Sequence, residues 1–248
     1  MKKTINYLKQ ITPNFLKKLY HLIRFKFEAI LLRFFYNVKS TWLIGQYSQH
    51  GQDRVLKDII FPEFKKKGIT LNCLIDVGSN QPFYNSDSAL FDELLNVICI
   101  DPIDYSSDYA KSRPLVNFIH KGINDNVGIL PFYKVRKVDG WEDQMSSFEL
   151  PDKRFEYDIV NVKIDRLDNV IRENKKLILP YYGLLIDVEG LHLNVLKSID
   201  LENNRPVFIM VECDAFDFEV IKYLEKNNYH FSYRIGPGDS LFISKDRI

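Results

Sequence analysis

Four acidic residues in this chain stand where a buried apolar run gives way to small or polar residues. Asp76 follows Cys73-Leu74-Ile75 and leads into Val77-Gly78-Ser79-Asn80, and Asp101 closes Val97-Ile98-Cys99-Ile100. Asp187, with Glu189 and Gly190, follows Leu184-Leu185-Ile186, and Glu212 follows the run 207–211. Short apolar runs of this kind read as strands buried on both faces. In a doubly wound sheet, the loops leaving the carboxyl ends of the strands bind ligands. Glycine at 78 can adopt a conformation, or tolerate a close approach, that a Cβ forbids, and Asp76 and Asn80 put hydrogen-bonding groups beside it. Acids at four strand ends on one edge would line a single cleft.

The ligand suited to that cleft follows from what the glycine loop lacks. A dinucleotide site needs G-x-G-x-x-G, with a second glycine that admits a pyrophosphate, whereas Gly78 is followed by Ser79, Asn80, Gln81 and Pro82. A nucleoside without phosphates fits better, and S-adenosylmethionine is the expected cofactor. Asp101, 25 residues beyond Asp76, can accept hydrogen bonds from both ribose hydroxyls. Asp76, Gly78, Ser79 and Asn80, with Gln49 and Gln52 from the polar cluster 46–53, are expected to hold the methionine portion. Ile123 and Asn124, in the exit loop of a third strand at 116–119, are expected to wall the adenine. Asp187, Glu189 and His192 are left to face the methyl acceptor as the catalytic group. No ligand spacing demands a metal, although Asp187 and Glu212 could share a divalent cation.

The elements that position these residues alternate. Strands are expected at 72–77, 97–101, 116–119, 182–187 and 207–211, with β character at 129–135 and 159–164. Helices are expected at 55–60, 86–95, 193–199 and 216–227, and a terminal hairpin at 230–235 and 240–244. Residues 62–70 read as a charged connector, and Ser48 or Asp53 as a helix cap. Between the two β stretches lies an irregular insertion with Trp141, Met145, Ser146, Ser147 and Pro151, a usual place for substrate selection. The implied class is α/β, as one domain at 45–248 preceded by an extension at 1–44.

That extension differs in charge from the rest. Residues 1–40 hold nine Lys/Arg and a single acid, Glu28, a net +8, against −7 for the remainder of a chain whose formal charge is +1. From 15 to 36, Leu16, Leu19, Ile23, Phe27, Ile30 and Phe34 recur at helical steps and predict an amphipathic helix. Its aliphatic run is too short to span a bilayer. Such a helix could lie on an anionic membrane surface, or pack on its own domain or a partner. Cys73, Cys99 and Cys213 lie in or at the end of apolar runs and are expected as buried thiols in a reducing compartment, hence a cytoplasmic protein, peripheral at a membrane if the helix binds lipid.

Taken together these residues resemble the FkbM family of S-adenosylmethionine-dependent methyltransferases. The resemblance rests on 48–53, on Ile75 to Asn80, on Asp101-Pro102, on Ser146-Ser147, on Val162 to Asp168, and on Ile186 to Gly190 with Val195-Leu196. It implies a Rossmann-like class I methyltransferase fold, with a seven-stranded, mostly parallel sheet ending in an antiparallel hairpin. It also implies O-methylation of a hydroxyl on a sugar, glycan or natural product. Pro82, Asp101 and His192 stand where the family usually has glycine, glutamate and glutamate. The alternative reading is a catalytically inactive scaffold that serves as a binding or assembly module attached through its basic helix. A nucleic-acid substrate is disfavoured, because the net-negative domain would repel phosphates.

Overall fold

The computed structural model describes residues 14–136 and 142–247. Trp141 and residues 1–13 of the extension lie outside the described residues.

The buried apolar runs become the central strands β2 (Cys73–Val77), β3 (Asn96–Asp101), β8 (Tyr182–Ile186) and β9 (Phe208–Glu212). With β4 (Asn117–His120), β10 (Tyr229–Ile235) and β11 (Asp239–Ser244) they form a sheet in the order β10-β11-β9-β8-β2-β3-β4. Only β11 runs against its neighbours, so the expected seven-stranded sheet with a terminal hairpin is present. An eighth strand, β1 (Lys39–Thr41), extends it by pairing parallel to β10. The β stretches flanking the insertion, β6 (Gly128–Val135) and β7 (Tyr157–Asp165), pair antiparallel and join β5 (Gly122–Ile123) in a separate three-stranded sheet. Apolar clusters pack on both faces of the large sheet, which is why its central strands carry no polar alternation. All three cysteines are buried free thiols.

Several local expectations are corrected. The helix expected at 55–60 spans 52–66, as α (Gln52–Val55), π (Leu56–Ile60) and α (Phe61–Lys66) turns. The π turn immediately before Pro62 absorbs its missing amide, so the proline does not begin a connector. The N-cap position of this helix is Gly51, at φ +83°, rather than Ser48 or Asp53, although the Ser48 hydroxyl accepts the first-turn amide of Asp53 at 3.3 Å and Asp53 accepts that of Arg54 at 2.7 Å. Asp53 also turns back and accepts the amides of Gln46 (2.9 Å) and Tyr47 (2.8 Å) and the Ser48 hydroxyl (2.6 Å), which folds 46–53 into a compact loop.

The helix expected at 86–95 is reduced to one 3-10 turn, Ala89–Phe91. Polar side chains there capture the chain before a helix can propagate: the Ser86 hydroxyl accepts the Ala89 amide at 3.1 Å. The organising group is Arg113, whose side chain is wholly buried. Its guanidinium forks onto both carboxylate oxygens of Asp92 at 2.7 and 2.9 Å and donates to the Pro82 carbonyl at 2.8 Å. It also reaches the hydroxyls of Ser86 and Ser88. Elsewhere the helix expected at 216–227 is present as Phe218–Lys226, capped by Asp217, whose carboxylate accepts the Glu219 and Val220 amides. The helix expected at 193–199 is present as His192–Lys197.

The extension forms one long helix, α1 (Asn14–Tyr36), whose inner face buries Phe25, Glu28 and Leu32. Arg24 Nε donates to Glu28 at 2.6 Å, and the buried Arg234 guanidinium of β10 lies 3.7 Å from the other Glu28 oxygen.

Removing the Arg113 fork leaves Asp92 facing a buried site without its partner. Arg113→Met is expected to lower stability by about 3 kcal/mol, read as the shift in a urea unfolding curve, because breaking a buried pair strands the remaining charge.

Candidate active site

The topology places the acids. β9, β8, β2 and β3 are consecutive parallel strands, so Glu212, Asp187, Asp76 and Asp101 stand in a row across their carboxyl ends, spanning about 14 Å at ~4.8 Å per strand. A cleft of about 1190 Å³, counting its open mouth, runs along that row. Its wall carries Gln49, Gln52, Asp76, Gly78, Ser79, Asn80, Asp101, Ile123, Asp187 and Glu189. Of the residues singled out from sequence, only Asn124 and His192 are off that wall. Asn124 is buried with its amide oxygen accepting the Asp125 amide (2.7 Å) and the Asn194 side chain (3.3 Å). His192 opens the helix after β8, with Nε2 buried and unpartnered. Burial holds it neutral by lowering its pKa, against the upward pull of Glu212, Asp217 and Glu149.

Gly78 is required where it stands. It has φ +84°, and a Cβ would lie 1.7 Å from the Asp187 carbonyl oxygen. The Gly78 and Ser79 amides both reach the Ile100 carbonyl, and the Asp187 amide donates to the Val77 carbonyl. The glycine therefore lets the ends of β2, β3 and β8 converge.

Each polar residue on the wall is either fixed by the fold or left open. Asp101 accepts the Asn80 amide through Oδ2 and the Ile103 amide through Oδ1, both at 2.8 Å, which orients the carboxyl and leaves further lone pairs facing the cleft. Asn80, at φ +52°, uses its own side chain to accept the Gln81 amide. Gln52 donates to Asp239 and accepts the His50 amide, so it positions an acid. Asp76 Oδ2 and the Ser79 hydroxyl, by contrast, are buried without partners.

His50, Asp87 and Asp239 are among the wall residues to which the sequence assigned no individual role. Asp239 begins β11, and only the antiparallel course of that strand carries its first residue to the shared edge. Asp87 lies in the loop held by Arg113, and no strand-end pattern marks it. His50 stood in the quoted 48–53 motif, and it is packed against Gly236 and Gly238 of the β10–β11 turn.

Seven carboxyls thus share the cleft: Asp76, Asp87, Asp101, Asp187, Glu189, Glu212 and Asp239. Lys121, also on the wall, is paired with Asp165 at 3.0 Å. Withdrawal from bulk water pushes Asp101 and Glu189 up to about 7. Asp239 is likewise near 7, through burial and then Glu212. Asp76 is raised by burial, and Asp87 well raised by burial and then by Asp239. Asp187 reaches into the cleft and is also well raised, first by desolvation and then by Glu212, with which it shares a hydrogen bond. Single oxygens of Asp187, Glu189 and Glu212 lie within 4.8 Å of one another, close enough to converge on one hydroxyl group or one cation. Glu189 is held at φ +45°, with the Ser147 hydroxyl of the insertion donating to its carbonyl at 2.8 Å. A non-glycine residue kept in that region beside a cleft is a mark of function.

The model of the Methyltransferase FkbM domain matches residues 76–231. The chain belongs to the FkbM methyltransferase family. The matched span begins at Asp76, so the loop 46–53 lies outside it although its residues reach the same cleft. Family membership bears out S-adenosylmethionine as the cofactor, and the wall fits it: a sulfonium and an ammonium suit a row of carboxyls, and Asp76 Oδ2 and the Ser79 hydroxyl await partners. No curated protein matches the sequence. Among solved structures, the N-terminal domain of human METTL16 in complex with SAH aligns at 12% identity, over 89% of this chain and 80% of that one, with a TM-score of 0.44.

The raised carboxyls fix the sign of the pH dependence of stability. Their folded pKa values, about 7, exceed the unfolded values near 4, so between these limits the folded state binds more protons. Stability should therefore fall as pH rises from about 5 to about 8 in the ligand-free protein, seen as a declining melting temperature.

Proposed function

We propose that this FkbM methyltransferase methylates a hydroxyl oxygen, on a sugar, glycan or small natural product, with Glu189 as the base. The observation that carries this is Glu189 itself. It lies in the cleft with Asp187 and Glu212, after β8 and so two strands from Asp101 on β3, and its pKa of about 7 matches the working pH of a general base.

Asp101, oriented by the Asn80 and Ile103 amides, would take the ribose hydroxyls; Ile123 and its apolar neighbours Ile103 and Phe132 would flank the adenine. Asp76 and Ser79 would receive the methionine end. Pro82 is off the cleft wall, with its carbonyl accepting from Arg113 at 2.8 Å, which supports this arrangement. When bound, the sulfonium supplies an electrophilic methyl and a thioether leaving group. Glu189 accepts the hydroxyl proton, and Asp187 and Glu212, whose oxygens lie beside it, can bind a neighbouring hydroxyl of the acceptor. Several carboxyls facing one pocket suit an acceptor rich in hydroxyl donors. Ser146 and Phe148 of the insertion also reach the wall and would discriminate between acceptors.

Calorimetry with S-adenosylmethionine and S-adenosylhomocysteine is the first test, followed by labelled methyl transfer to a panel of glycosides and phenols. Glu189→Gln is expected to keep cofactor affinity while losing about 10²- to 10⁴-fold in kcat, the usual worth of a general base. The wild-type rate should rise with pH through about 7. Absence of saturable cofactor binding would return the chain to the non-catalytic assembly module.

A further inference from the structure

The apolar stripe that suggested a packing face on α1 does not pack. Leu16, Leu19, Ile23, Phe27, Ile30 and Phe34 are all exposed, with Ile23 at 59%, Phe27 at 62% and Phe34 at 81%. At 100° per residue they fall on the side opposite Phe25, Glu28 and Leu32, the face that is buried against the sheet. One helix therefore carries two apolar faces, and its own domain covers one of them.

Charge says what covers the other. Lys26 and Arg33 border the exposed stripe on one flank and Arg24 on the other, and all three are exposed. The single acid of the segment, Glu28, points inward and is paired with Arg24 and Arg234. The exposed face of the helix thus combines aromatic and aliphatic side chains with the cations Lys26 and Arg33 and carries no carboxylate of its own; on the other flank Arg24 is paired with the exposed Asp214. A second copy of this helix would set cation against cation along both flanks, which opposes a homodimer. A surface with acyl chains below and negative charge above meets both features. No helix among the described residues is long and apolar enough to cross a membrane, so such contact lies in the interface.

We infer that α1 docks this protein on an anionic phospholipid surface, with Ile23, Phe27, Ile30 and Phe34 entering the headgroup boundary and Lys26 and Arg33 meeting the lipid phosphates. The same contact orients the cleft. Phe25 packs edge-on against Trp42 at 5.4 Å, and Trp42 in turn against His50 at 6.2 Å, which is on the cleft wall. Arg24 also donates at 2.8 Å to Asp214, two residues beyond Glu212. Trp42 and Ile44, which follow α1 in the chain, are exposed as well.

The test uses the full chain sedimented with vesicles of phosphatidylcholine alone or mixed with phosphatidylglycerol. Binding to the mixed vesicles is expected, falling as salt is raised. The Ile23→Ser/Phe27→Ser/Phe34→Ser variant should lose about tenfold or more in partitioning, and Lys26→Glu/Arg33→Glu about thirtyfold or more, the fold-change that corresponds to roughly 1 kcal/mol for each of its two cations. Unchanged melting and adenosylmethionine binding in both variants would establish that the fold is intact, since every altered side chain is exposed. Failure to bind the mixed vesicles, or equal binding to neutral ones, overturns the inference. So does a lipid-free dimer that the serine variant dissociates, which would assign the face to a second copy.

Discussion

Carboxyl groups crowd one edge of this sheet, and neither the charge nor the burial can be relieved from within the fold. Apolar strands buried on both faces force polar residues to their ends, and the parallel course of β3, β2, β8 and β9 brings those ends to one side. Gly78 then allows β2 and β8 to approach until the Asp187 carbonyl fills the space a Cβ would take. The seven acids of the cleft are consequently held near one another, with Asp76, Asp101 and Asp239 buried, Asp87, Glu189 and Glu212 half-buried, and Asp187 open to the cleft. Asp101, Glu189 and Asp239 respond by retaining protons into the neutral range. A cation in the cleft would replace those protons, which is the physical reason a sulfonium nucleoside suits it.

The frame around that edge is built to hold it still. On one side Arg113 gathers Pro82, Ser86, Ser88 and Asp92 and shapes a loop with little regular structure. On the other, Arg234 donates to the Cys213 carbonyl and the Ser240 hydroxyl and faces Glu28, tying the terminal hairpin to α1. Asp53 gathers the amides of 46–48 so that Gln49, His50 and Gln52 reach the wall. Each device is a charged side chain that gathers several backbone and side-chain groups, and each supports the site from outside the four central strands.

What the sequence disclosed follows from this division. The central strands and the acids at 76, 101, 187 and 212 were legible because burial on both faces leaves an unbroken apolar run ending in a polar residue. Asp239 was not, because its place at the edge depends on β11 running antiparallel. Asp87 and Arg113 lie in irregular chain, where side chains meet across the fold and leave no periodic trace. Gln52 and Asn124 have the right chemistry for a ligand but satisfy neighbouring groups. The stripe on α1 was legible as amphipathic, yet periodicity does not say which of two faces the domain covers. Pro62 and the 86–95 segment misled because a π turn accommodates the one and local hydroxyls dissolve the other.

Proton release on cofactor binding tests the central claim most directly. Titrations of S-adenosylmethionine at pH near 6.5, in two buffers of different ionisation enthalpy, count the protons exchanged as the complex forms. Carboxyls held protonated by burial and crowding should give up protons when a cation enters, so net release is the expected result. Binding with no proton exchange, or with net uptake, would contradict it, for the acids would then not be answering to the charge of the ligand.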